Sequence, residues 1–184
     1  MKLFARLLVF VAASTIGSWT STYACEYPKP PTFEKVAPTA RHIFVFRVLS
    51  LKVVRYASKE ERFYDELEAV EGAISVEANI KGPQAVFEAV RFKNFVCGGV
   101  ELQIGHRYLV ATNQTGPVLS LVAGDRTFGN IDTEYWFPLR PIKSNPYVLA
   151  AESAVRGTRS FSKVLDDRAR YDIYVDRAYI ELPK

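Results

Sequence analysis

The chain has 184 residues, nearly half of them hydrophobic, with 24 basic and 20 acidic residues. That length points to one domain. Lys2 and Arg6 fall in a segment that reads as a leader, leaving 22 basic against 20 acidic residues, and with no Lys/Arg run the balance argues against a nucleic-acid binder.

Residues 1–24 have the order of a signal peptide: a basic start, a short apolar run from Leu7 to Ile16, then small and polar residues ending at Ala24. The run is shorter than the roughly 20 residues that span a bilayer, and no later stretch is more apolar, so no transmembrane helix is expected. Cleavage after Ala24 would make Cys25 the first mature residue and the product secreted or periplasmic. The two cysteines, Cys25 and Cys97, then suit one disulfide closing a loop of about 70 residues, worth on the order of 4 kcal/mol by loop entropy. The alternative fate of a cysteine straight after a leader is lipidation, giving a membrane-anchored lipoprotein. That would block the Cys25 sulfur and forbid the bridge.

Residues 26–38 carry four prolines and are expected to lie extended over the surface, without helix. Arg41 to Arg55 predicts a long strand, apolar on both faces at its start and therefore buried on two sides and bent. Residues 58–69 are charged and read as an exposed loop or a helical turn. Strands follow at 73–80, 85–92 and 100–104, with turns at Lys81-Gly82-Pro83 and Gly105-His106. Tyr108–Thr112 and Val118–Val122 read as a hairpin across Asn113–Pro117. Residues 147–168 are the best helical stretch, with Gly157 as a break, and Tyr171–Leu182 suits a closing strand. Strands recurring this often argue for a single mainly β domain, barrel or sandwich, with one accessory helix.

Chemistry-bearing motifs are sparse. The chain has no Gly-x-Ser-x-Gly elbow, phosphate-binding loop or dinucleotide fingerprint. His42 and His106 have no metal-like partner at short spacing and read as structural or solvated. The carboxylates of Glu60–Glu71 read as a solvated charge run. Asn113-Gln114-Thr115 matches a glycosylation acceptor pattern, which matters only in a eukaryotic host. No cofactor is expected, and the chain reads as a non-enzyme.

One combination is more specific. A Cys at the mature terminus opens a proline-rich segment, the strand HIFVFRVLSLKVV follows, then Ile80-Lys81-Gly82, Val96-Cys97-Gly98, the Gly105 turn and Tyr108-Leu109-Val110. This order, over roughly Cys25 to Thr127, resembles the inhibitory domain of the tissue inhibitors of metalloproteinases and the wider netrin-like family, bacterial relatives included. The resemblance implies an OB-like five-stranded barrel with an accessory helix over 25–184, with a C-terminal extension from about residue 132. It implies a protein partner, with a zinc metalloproteinase as the candidate. Cys25 would chelate the protease's catalytic zinc in trans, through its α-amine and carbonyl oxygen, displacing the water at the open coordination position. Glu26 would enter the pocket beside the zinc, where its carboxylate must be desolvated. Phe95 and Val96 would flank the bridge and touch the enzyme. The family's second and third bridges have no counterpart, since Tyr27 and Ala123 stand where cysteines are common. The competing reading is a non-inhibitory interaction or envelope structural module stapled by Cys25 and Cys97.

Overall fold

A computed structural model describes residues 31–57, 66–93, 100, 102–122, 126–132 and 141–165. Among them the protein is mainly β. Strands β1 (His42–Ala57), β2 (Glu66–Lys81), β3 (Ala89–Lys93), β4 (Arg107–Thr112), β5 (Val118–Leu121) and β6 (Phe128–Asn130) form one mixed sheet in the order β5-β3-β2-β1-β4-β6. All pairings are antiparallel except β3 with β5, which run parallel.

The sheet curls. Arg126, on the connection from β5 to β6, bridges Thr32, and its carbonyl accepts the Phe33 N–H at 2.8 Å. Bending is built into the central ribbon: β1 and β2 slip register near Ile43, Val45 and Val48, where extra residues add local twist. The result is a half-barrel.

The half-barrel has two cores. Phe44, Phe46 and Val48 of β1 meet Val90, Tyr108, Val110, Leu119 and Phe128 on the concave side. Phe44 stacks on Phe87 with centroids 5.1 Å apart, and Phe46 on Tyr108 at 5.5 Å. On the convex side Ile43, Val45, Leu109 and Ala111 are covered by helices. This explains why the start of β1 is apolar on both faces: His42 through Phe46 are all buried. Past Val48 the convex side is uncovered and the pattern turns polar, with Ser50 and Lys52 exposed.

Two helices make the convex layer. Helix α1 (Phe33–Val36) is a single turn, and the Lys81 ammonium caps its exit by donating to the carbonyls of Ala37 at 3.1 Å and Pro38 at 2.8 Å. Helix α2 (Pro146–Val155) starts at Asn145, whose Oδ1 accepts the Tyr147 N–H at 3.0 Å, with Pro146 in the first turn. Its buried face is Val148, Ala150, Ala151 and Ala154, small enough for close approach to the sheet. It ends before Gly157, which has a φ of 79°. Among the described residues no helix is long and apolar enough to cross a membrane.

Several expectations are corrected. The 26–38 segment is not all extended: its longest proline-free stretch, between Pro31 and Pro38, holds α1 and drives Phe33 fully into the core. Residues 66–69 belong to β2 and are not a loop, because pairing with β1 overrides their charge. The strand expected over 85–92 starts only at Ala89, although Ala85 and Phe87 already face the core. Residues 102–104 are not a strand: Leu102 is buried, and Ile104 turns outward before Gly105. Tyr108–Thr112 and Val118–Leu121 do not pair as a hairpin. Instead β4 lies between β1 and β6, and β5 joins β3. β6, with only three residues, has too little pattern to be read ahead. The break at Gly157 stands; the helix expected through 168 gives way there to a 3-10 turn at Phe161–Lys163. Tyr171–Leu182 lies outside the described residues.

Candidate functional site

Cys25, Glu26, Phe95, Val96 and Cys97 all lie outside the described residues. What the fold does define is where their stems attach. β3 leads at Lys93 into residues 94–99, and its Phe92 is in register with Leu121 of parallel β5. The two strands therefore leave the sheet side by side, with Val122 next after β5. Four residue steps later comes Arg126, which bridges Thr32, the stem leading back toward Cys25. Val122 and Arg126 are separated by at most about 14 Å. One short connector thus has the two stems as neighbours at its two ends.

A buried polar assembly sits elsewhere, around the start of β4. Arg107 and Asp132 form a buried ion pair. The Arg107 Nε donates to Asp132 Oδ1 at 2.9 Å, and the Arg107 backbone N–H donates to Oδ2 at 2.9 Å. Asp132 is held in turn by its own N–H, which donates to Asn130 Oδ1 at 2.9 Å. Asn130 Nδ2 lies 3.2 Å from His106 Nδ1 in a hydrogen bond. Nearer the surface, Arg47 pairs with Glu77 and its Nη1 donates to the Gly105 carbonyl at 3.1 Å. The hydrogen bonds that Arg47 donates to the Glu77 carboxylate hold its guanidinium above its ordinary range, against a smaller opposing effect of burial.

Chemically this assembly is a lock. Each carboxylate faces a guanidinium. Asp132 is engaged on both oxygens, and Asn145 Nδ2 donates to the Ile131 carbonyl at 2.9 Å, tying the end of β6 to α2. The two histidines are not brought together. His42 is buried, its Nδ1 donates to the Pro83 carbonyl at 3.2 Å, and its ring meets Phe87 edge-on at 6.0 Å. No group of three or more His, Cys, Asp or Glu side chains that could hold a metal occurs among the described residues.

Sequence reasoning missed Arg107, Asp132 and Asn130. Arg107 and Asp132 are 25 positions apart, and no local spacing signals that they meet. Asn113, at the glycosylation pattern, is exposed, and its Oδ1 accepts the Arg41 N–H at 2.8 Å.

No protein-family model matches the chain, and no curated protein matches it either.

Proposed function

We propose that this chain is an exported OB-like domain of the netrin and metalloproteinase-inhibitor type. It binds a protein partner through its mature N-terminus and the Phe95–Val96 segment, the partner being a zinc metalloproteinase whose metal is chelated by the Cys25 amine and carbonyl. The observation that carries this reading is the placement of the stems. Thr32 and Lys93 neighbour the two ends of the 122–126 connector, so Cys25 and Cys97 are within chain reach of one another. A bridge between them would hold the chelating residue rigid and reduce the ordering cost of binding.

Strand order supports the OB-like part of the reading. Strands β1 to β5 are ordered β5-β3-β2-β1-β4, with the long, bent β1 paired on both edges and β3 parallel to β5. These five make a Greek-key half-barrel, the architecture expected of an OB-like domain, with β6 as an addition on the β4 edge.

The test has two stages. Intact mass before and after reduction should show a chain running from Cys25 to Lys184, two hydrogens lighter when oxidised. The oxidised protein is then assayed against zinc metalloproteinases, beside a variant with one Ala added ahead of Cys25. Inhibition that vanishes in the extended variant, at unchanged melting temperature, supports chelation. Inhibition that survives the added Ala overturns it, and a mass increased by a diacyl group overturns the bridged reading altogether.

A further inference from the structure

Strand β1 is longer than the strand that covers its outer edge. β4 pairs with it only over His42–Arg47, and one further turn of contact follows, where Val48 bonds to the His106 carbonyl at 3.0 Å and to the Gly105 N–H at 2.8 Å. Ahead of Gly105 the chain turns off that edge, because Leu102 is buried in the concave core. From Leu49 onward β1 therefore has β2 on one side and no strand on the other among the described residues. Such an edge is a template for another strand. Its flank is apolar: Leu49, the extra residue of the bulge, is 52% exposed, Val53 43%, and nearby Ile104 60%. Val53 pairs with Val70, and Leu51 packs on the concave core that holds Val70, so both face the concave side. Lys52 faces the other way, opposite Glu71. It is the weaker partner there, at 3.6 Å against 2.7 Å for Arg91 on the same carboxylate.

We propose that this edge, over Leu49–Val54, is the docking site of the chain's own segment Tyr171–Asp176, added as a strand parallel to β1. The segment alternates as the edge does. Tyr171, Ile173 and Val175 fall on one side, to join Leu51 and Val53, and Asp172, Tyr174 and Asp176 fall on the other, where Lys52 lies. Arg177 ends the apolar side, which sets the paired length at six residues, the same as the edge. Reach fixes the direction. Leu165 is buried in the convex core together with Ile43 and Val45. Six residue steps lead from it to Tyr171, at most about 22 Å. Along β1, Leu49 is about 13 Å from Val45 and Val54 about 30 Å, so the segment can enter only at the Leu49 end. Charge favours this occupant over a second copy of the edge: Leu49–Val54 holds Lys52 and no acid, whereas the segment brings two aspartates.

The test uses the exported full chain and two independent readouts. The first places the photo-crosslinker p-benzoylphenylalanine at Val53, an exposed position, in a mixture of isotopically labelled and unlabelled copies. Peptide mapping should find the adduct within 171–176 and within one chain. The second is amide exchange in an Ile173→Pro variant, which removes one donor from the added strand and breaks its pairing. Exchange across Leu49–Val54 should rise roughly tenfold, while His42–Val48, covered by β4, stays within about twofold of the parent. An adduct joining two copies, an adduct to any other segment, or no adduct overturns the proposal, and so does equal protection of Leu49–Val54 in parent and variant. Neither readout involves Cys25, so the outcome is separate from that of the zinc-chelation assay.

Discussion

The Gln114 carboxamide occupies the place of a peptide group beside Ser120. Its Nε2 donates to the Ser120 carbonyl at 2.7 Å, and its Oε1 accepts the Ser120 N–H at 2.8 Å. Ser120 lies in β5, whose one strand partner among the described residues is β3. A side chain from the β4–β5 connection therefore closes part of a sheet edge that no strand covers among the described residues. Gln114→Ala should cost about 1–2 kcal/mol by leaving both groups to water, and should raise self-association through the bared edge. Thermal melting and size-exclusion chromatography over a concentration series read both effects; an unchanged elution profile would sink the edge-protection role.

Asp132→Ala strands the Arg107 guanidinium in the core and should destabilise the protein by about 3–5 kcal/mol in denaturant unfolding. Arg107→Met combined with Asp132→Leu removes both charges and should recover much of that loss. If the double variant is no better than the single one, the cost lies in the backbone contacts of Asp132 and not in the orphaned charge.

Gly82 and Gly105 share a left-handed backbone but not its surroundings. Gly82 has a φ of 85°, and a Cβ there would lie 1.9 Å from the Arg41 carbonyl oxygen; at Gly105, with a φ of 87°, a Cβ would meet nothing within 4 Å. Gly82→Ala should cost at least about 2 kcal/mol, because strain and clash add. Gly105→Ala should cost about 1 kcal/mol, from strain alone. Paired unfolding curves decide, and equal losses would contradict the clash.

Asn145 serves two elements at once, capping α2 through Oδ1 and holding the Ile131 carbonyl through Nδ2. Asn145→Ala should cost about 2 kcal/mol, the loss of a cap plus an orphaned buried acceptor. Amide exchange should rise at Tyr147 and Val148. Protection unchanged at those two amides would show that the cap does not set the stability of the helix start.

Much of the strand content was legible because periodicity is local. The two-sided burial of β1 follows from apolar residues on both faces of HIFVF, and the end of α2 from Gly157. Pairing was not legible in the same way. Val118–Leu121 lies a short turn after Tyr108–Thr112 and has every local mark of a hairpin partner, yet it joins β3. The partner is chosen by the competition between the short hairpin and a curled sheet that buries Leu119 and Leu121 beside Val90 and Phe92. The proposed binding residues were read from a cysteine, a short motif and their spacing; the fold supplies the positions of their stems.

By itself, the sequence determined a mainly β chain, with one strand buried on both sides and a helix broken at Gly157. Each of these depends on residues within a few positions of one another, where backbone preference and burial pattern act directly. The tertiary structure alone decided the parallel β3–β5 pair, the Arg107–Asp132 lock and the Gln114 edge cap. Those contacts join residues far apart in the chain or on separate elements, and their free energy exists only once the curled sheet has brought them together.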